Sequence, residues 1–124
     1  MRILILFTFL ITNTLANELP DLKNLVVHKI PKTYDNIIFL DDENKEINIQ
    51  NLESQLSVLN FWATWCEPCK EEMPSLNRLQ VNKKVKNLKI YPINIGKESL
   101  TKVNSFFAEL GIDNLEPYFD NPST

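Results

Sequence analysis

Val58-Leu59-Asn60-Phe61-Trp62-Ala63-Thr64-Trp65-Cys66-Glu67-Pro68-Cys69 decides how this chain is read. Leu56 to Ala63 is apolar, with β-branched and aromatic members, and predicts a buried central strand. Two cysteines three apart follow at once, and they are the only cysteines in 124 residues. Placed at the start of a helix, both sulfurs fall in its first turn. Unpaired backbone N–H groups and the helix dipole favour a thiolate there. Cys66 then reads as a nucleophile, with Cys69 near enough to close a disulfide.

The neighbours of the pair fit this chemistry. Pro68 suits a first helical turn, where its missing N–H costs nothing, and it limits the freedom of the loop. Trp62 and Trp65 are expected to give an apolar surround that meets a partner polypeptide. Glu67, between the sulfurs, is expected to disfavour the thiolate. Glu72, three residues after Cys69, shares a helix face with it and is a candidate for moving protons to and from the resolving thiol. The other reading of Glu71 and Glu72 is a solvated face near the positive end of the helix.

Working outward, Ile37 to Leu40 and Glu46 to Ile49 read as strands around the polar turn Asp41 to Lys45, a β-hairpin. Asn51 to Ser54 reads as a short helical turn. A helix is predicted from about Glu67 to Val81, with Leu76 and Leu79 on its apolar face and Pro74 expected to kink it. Leu88 to Ile95 is the next strand. Glu98 to Leu110 is a second helix carrying Leu100, Val103, Phe106, Phe107 and Leu110 at helical spacing, with Gly111 as its C-terminal stop. Leu115 to Phe119 begins another strand. Alternating strands and helices predict an α/β fold with parallel strands.

Before this domain, Arg2, the apolar run Ile3 to Ile11 and the small residues of Thr14-Leu15-Ala16 form a signal-peptide pattern. Residues 1–16 are read as that signal, the alternative being an uncleaved membrane anchor, and residues 17–35 as a tether. The net charge of −3 comes with no basic stripe, which excludes a nucleic-acid-binding class. In an exported chain a CxxC pair could be a structural bridge, but so small a loop gains little stability from closure. Zinc needs four ligands, and the pair with His28 supplies at most three. A haem-attachment motif needs His where Lys70 stands. No cofactor and no metal is expected beyond the thiols. A small thiol-based metal-binding module ranks last among the functions, and His28 reads as a surface residue.

The run from Val58 through Cys69 to Lys70-Glu71-Glu72-Met73-Pro74 resembles the core motif of the TlpA/ResA-like thiol–disulfide oxidoreductases, exported bacterial proteins of the thioredoxin superfamily. The resemblance covers roughly Asn36 to Asp120. It implies a thioredoxin-like fold: an N-terminal hairpin, central parallel strands and flanking helices. It implies that Cys66 attacks, that Cys69 resolves, and that Glu72 matches an acidic residue near the active site. Asn60 stands where thioredoxins proper carry a buried Asp. Family members reduce disulfides in exported proteins, some of them apocytochrome c, with electrons relayed from a membrane-embedded thiol carrier.

One departure weighs against a complete enzyme. The family continues into a cis-proline loop facing the cysteines, a β-hairpin and a last helix. Pro122-Ser123-Thr124 lacks a strand close before it, so Phe119 to Pro122 reads as an earlier loop. The expectation is therefore an incomplete domain over residues 36–124, with one sheet edge exposed. Two functions follow: a periplasmic protein-disulfide reductase, or a non-catalytic remnant of one.

Overall fold

A computed structural model describes residues 26–34 and 36–122. The expected signal peptide lies outside these residues, as does most of the tether. The chain divides into two units, residues 1–32 and 33–124. In the first, residues 26–32 are exposed and have no regular structure beyond a bend, and His28 is among them.

The second unit holds a five-stranded sheet in the order β2-β1-β5-β4-β3. β1 (Ile38–Leu40) and β2 (Glu46–Asn48) are the expected hairpin, with Phe39 opposite Ile47. Its turn closes because the Asp41 carboxylate accepts from the N–H groups of Glu43 and Lys45, while Asn44 takes the left-handed conformation that asparagine tolerates. The short helical turn forms earlier than expected, as a 3-10 turn over Ile49–Asn51, because the Asn48 side chain accepts from Gln50 N–H and caps it there.

β3 (Leu56–Trp62) leads into α1 (Glu67–Gln80), then β4 (Leu88–Asn94), α2 (Leu100–Glu109) and β5 (Tyr118–Asp120). β3 and β5 both pair parallel to β4, and β5 pairs antiparallel to β1. This α/β arrangement is the thioredoxin-like one that the sequence predicts.

One expectation fails. Among the described residues β3 is an edge strand, paired on one side only, and the strand buried along nearly its whole length is β4. Leu56 and Phe61 stay about half exposed on β3. An apolar run specifies a strand but not how many neighbours it has.

Strand alternation divides the core into two layers. Trp62, Leu88 and Ile90 face Met73 of α1 and Val103, Phe106 and Phe107 of α2, so both helices cover one face. Phe39, Tyr91, Ile93 and Tyr118 cluster on the other. α2 begins two residues later than expected because the Ser99 hydroxyl accepts from Lys102 N–H and caps it. It ends as predicted at Gly111, whose φ is 65°. Gly111 N–H reaches the Ala108 carbonyl and Ile112 N–H the Phe107 carbonyl, which is the paired bonding of a Schellman stop.

Asn77 ties this stop to α1. Its amide donates to the Gly111 carbonyl at 3.3 Å and to Asp113 at 3.0 Å, and its oxygen accepts from Asn114 N–H at 2.8 Å. The side chain is buried, so Asn77→Ala leaves Asn114 N–H and the Gly111 carbonyl without this partner. The expected loss is about 1–3 kcal/mol, read as a lower urea midpoint with an unchanged slope.

Candidate active site

α1 starts where the sequence places it. Cys66 is the N-cap in extended conformation, Glu67 and Pro68 follow, and Cys69 completes the first turn. The Cys66 carbonyl accepts from the N–H groups of Cys69 (3.1 Å) and Lys70 (3.2 Å), while Cys66 N–H donates back to the Ala63 carbonyl at 3.1 Å. The two sulfurs are joined as a disulfide, with Cα atoms 5.3 Å apart. Both cysteines are partly exposed, so the bridge lies at the surface of the fold.

The two tryptophans separate. Trp65 is 72% exposed beside Cys66, where a partner can meet it. Trp62 is 1% exposed, with its ring 5.0 Å from Phe106 in a stacked arrangement. It is core, which corrects the expectation that it touches a partner. Strand parity explains the difference: Trp62 is the last residue of β3 on the helix-covered face, and Trp65 lies past the strand end in the loop. Pro68 is exposed in the first turn.

Glu67 does not act as an unopposed charge between the sulfurs. Lys70 Nζ sits 3.0 Å from it, and this surface pair offsets its field. Glu72 is exposed and accepts from the Asn60 amide at 3.2 Å. Asn60 and Glu72 are thus brought together, twelve residues apart, from β3 and α1. The Asn60 side-chain amide oxygen and the Trp62 indole N–H are both buried without a partner on that same face of β3. Among the described residues no group of three or more His, Cys, Asp or Glu could hold a metal. Nor is any described helix long and apolar enough to cross a membrane.

Sequence reasoning missed Glu98. Its side chain is 5% exposed and reaches back to the loop that presents Cys66. Thr64 donates to it from its N–H at 3.1 Å and from its hydroxyl. The Asn94 amide donates at 2.7 Å and Lys102 at 2.9 Å. Burial works against the charged form, but the bonds from Thr64, Lys102 and Asn94 outweigh it and hold the carboxyl at about 2. No local pattern announces a contact spanning 34 residues. Gly96 makes room for this contact, since a Cβ there would meet the Glu98 carboxylate at 2.9 Å and Ala63 at 3.1 Å.

A pKa depressed from 4.5 to about 2 means the unfolded chain takes up the proton first as pH falls. Stability from Glu98 is therefore full above about pH 4.5 and is lost as pH falls towards 2. The loss should be on the order of 3 kcal/mol. Denaturant midpoints of the parent and Glu98→Gln should differ most at neutral pH and converge through that window.

A hollow of about 280 Å³ opens beside Thr64, bordered by Lys70, Lys102, Ser105, Phe106 and Glu109. It is small even for a compact ligand, and a larger hollow of about 690 Å³ opens on the other side of Glu98, bordered by Asp42, Asn94, Lys97 and Asp120.

Residues 16–118 match the model of the AhpC/TSA family. The chain is 33% identical over 84 residues to the thiol-disulfide oxidoreductase ResA of Bacillus thuringiensis, covering 68% of this chain and 48% of that protein. It is 35% identical over 78 residues to ResA of Bacillus subtilis, covering 63% and 43%. It thus spans about half the length of these relatives. Among solved structures, StoA of Bacillus subtilis superposes with a TM-score of 0.52 at 24% identity, over 68% of this chain and 64% of that one.

Proposed function

Because the chain belongs to the AhpC/TSA family, as a ResA-like member of the thioredoxin superfamily, we propose that it reduces disulfides in exported proteins through Cys66 and Cys69. The observation that carries this reading is the position of the pair. Cys66 stands at the N-cap position and Cys69 sits one turn in, within bridging distance, at a partly exposed surface beside Trp65.

In the proposed cycle the reduced Cys66 thiolate attacks one sulfur of the substrate disulfide. The substrate S–S bond breaks, a Cys66–substrate disulfide forms, and the leaving thiolate takes a proton. The Cys69 thiolate then attacks Cys66 Sγ and expels the second substrate thiol. The substrate gains two electrons and two protons, and the chain becomes the Cys66–Cys69 disulfide. Glu72, held by Asn60, is assigned to accept the proton of Cys69 as that thiol becomes the attacking thiolate. A membrane-embedded thiol carrier is assigned as the donor that restores the dithiol, and apocytochrome c is one candidate substrate. Export rests on the signal pattern of residues 1–16, and the periplasm is the compartment it suggests.

The second reading is a dithiol protein that does not turn over protein substrates. Single-turnover reduction of insulin by the reduced chain separates the two. About one insulin disulfide reduced per chain, with loss of both free thiols, supports the reductase. No reduction of insulin while small disulfides still oxidise the pair supports the second reading.

A further inference from the structure

The loop between β3 and Cys66 is clasped by a residue far away in sequence. Glu98 lies just before α2, and its carboxylate takes both donors of Thr64, the N–H and the hydroxyl. Thr64 sits inside the turn that Cys66 N–H closes onto the Ala63 carbonyl, so fixing Thr64 fixes the approach of the chain to Cys66. The carboxylate is itself held. Asn94 donates to one oxygen, Lys102 to the other, and the Asn94 side-chain amide oxygen accepts from Gly96 N–H at 3.0 Å. A Cβ on Gly96 would press on both the Glu98 carboxylate and Ala63. These contacts join the end of β4 and the start of α2 to the redox loop.

We propose that Glu98 is a positioning residue for the dithiol, holding the Thr64 turn that presents Cys66 and setting the charge that Cys66 feels. The inference rests on reading Cys66 and Cys69 as an exchanging pair. A carboxylate that served packing alone would be replaced there by an apolar side chain with less desolvation. Instead it is ionised, takes donors from Thr64, Asn94 and Lys102, and is spent on a loop that ends at the nucleophile.

Charged groups face this site from several elements: Asp42, Lys97 and Asp120 line a hollow of about 690 Å³ that Glu98 also borders. On α1, Glu67 and Lys70 pair with each other, and Glu72 lies one turn further along on Asn60. On α2, Lys102 pairs with Glu98, and Lys102 and Glu109 border the hollow beside Thr64. Lys97 is exposed next to Glu98. Glu98→Gln removes a negative charge at Thr64 and leaves Lys102 unpaired, so the field at Cys66 becomes more positive and the thiolate is favoured.

The test is the pH profile of iodoacetamide alkylation at Cys66 in the reduced chain. In Glu98→Gln the profile should move to lower pH, with alkylation on the acid side faster by on the order of three- to tenfold. Glu98→Asp keeps the charge and should bring the profile most of the way back. Lys102→Met, at a side chain 59% exposed, should leave the fold intact and move the profile to higher pH. Profiles that superimpose on the parent while melting temperatures fall would mean a packing role only and overturn the proposal. So would shifts of the opposite sign. If Glu98→Gln does not fold, Lys102→Met decides alone. Alkylation needs no disulfide substrate, so a chain that shifts as expected but leaves insulin intact upholds this inference and sinks the reductase reading.

Discussion

Cys69→Ser should accumulate a stable disulfide between Cys66 and a protein substrate, and Cys66→Ser should form none. The wild-type pair passes through this species too briefly to collect it, because Cys69 stands one helical turn away and resolves it within the molecule. Bridging distance is already met, with Cα atoms 5.3 Å apart. Replacing the sulfur of Cys69 leaves the first bond change intact and blocks the second. Replacing that of Cys66 removes the thiol at the N-cap, the position the free N–H groups and dipole of α1 favour for a thiolate. Both variants should lose substrate reduction by about a thousandfold or more, the scale expected when a covalent nucleophile is removed. Non-reducing gels with mass analysis of the adduct check the assignment. An adduct through Cys69 in Cys66→Ser, as abundant as the other, would reverse the roles.

Trp62→Ala should destabilise the domain by about 3–5 kcal/mol, the range for an aromatic removed from a packed core. Trp62 is 1% exposed, stacks on Phe106 and lies 5.4 Å from the Phe107 ring, so its side chain packs β3 against α2. Stacked aromatic pairs also add roughly 0.5–1.5 kcal/mol beyond the area they bury. A domain of this size has only about 5–15 kcal/mol in total, so the variant should be partly unfolded at 37 °C. Trp65→Ala, by contrast, should leave the denaturation midpoint within about 0.5 kcal/mol of the parent, since that ring is exposed. Equilibrium denaturation followed by circular dichroism distinguishes the two. A Trp62 variant as stable as the Trp65 variant would contradict the assignment of Trp62 to the core.

The elements that local pattern governs were legible in the sequence. The strand before the cysteines, the helix opening at Cys66, the hairpin around Asp41 to Lys45 and the Gly111 stop all follow from alternation, capping and turn chemistry. Boundaries moved where a side chain capped the backbone, as Ser99 does for α2 and Asn48 for the 3-10 turn. What sequence could not give was tertiary. Leu56 to Trp62 reads as apolar whether the strand has one neighbour or two, so the pattern of β3 alone does not say that it is the exposed edge. Trp62 and Trp65 carry the same side chain, and only strand parity separates core from surface. Glu98 looked like one more charge before a helix, because Thr64 and Asn94 become its partners only when β3, β4 and α2 are assembled. The Asn60–Glu72 contact was missed for the same reason.

The proposed reduction requires Cys66 and Cys69 to act as one two-electron couple. The most direct test equilibrates the chain with graded glutathione buffers, blocks free thiols with an alkylating agent and counts them by mass. One transition is expected, in which both thiols appear together, following two-electron behaviour, with a tenfold change in the equilibrium for about 30 mV. Accumulation of a glutathione adduct on one cysteine, with the other thiol free across the range, would contradict it.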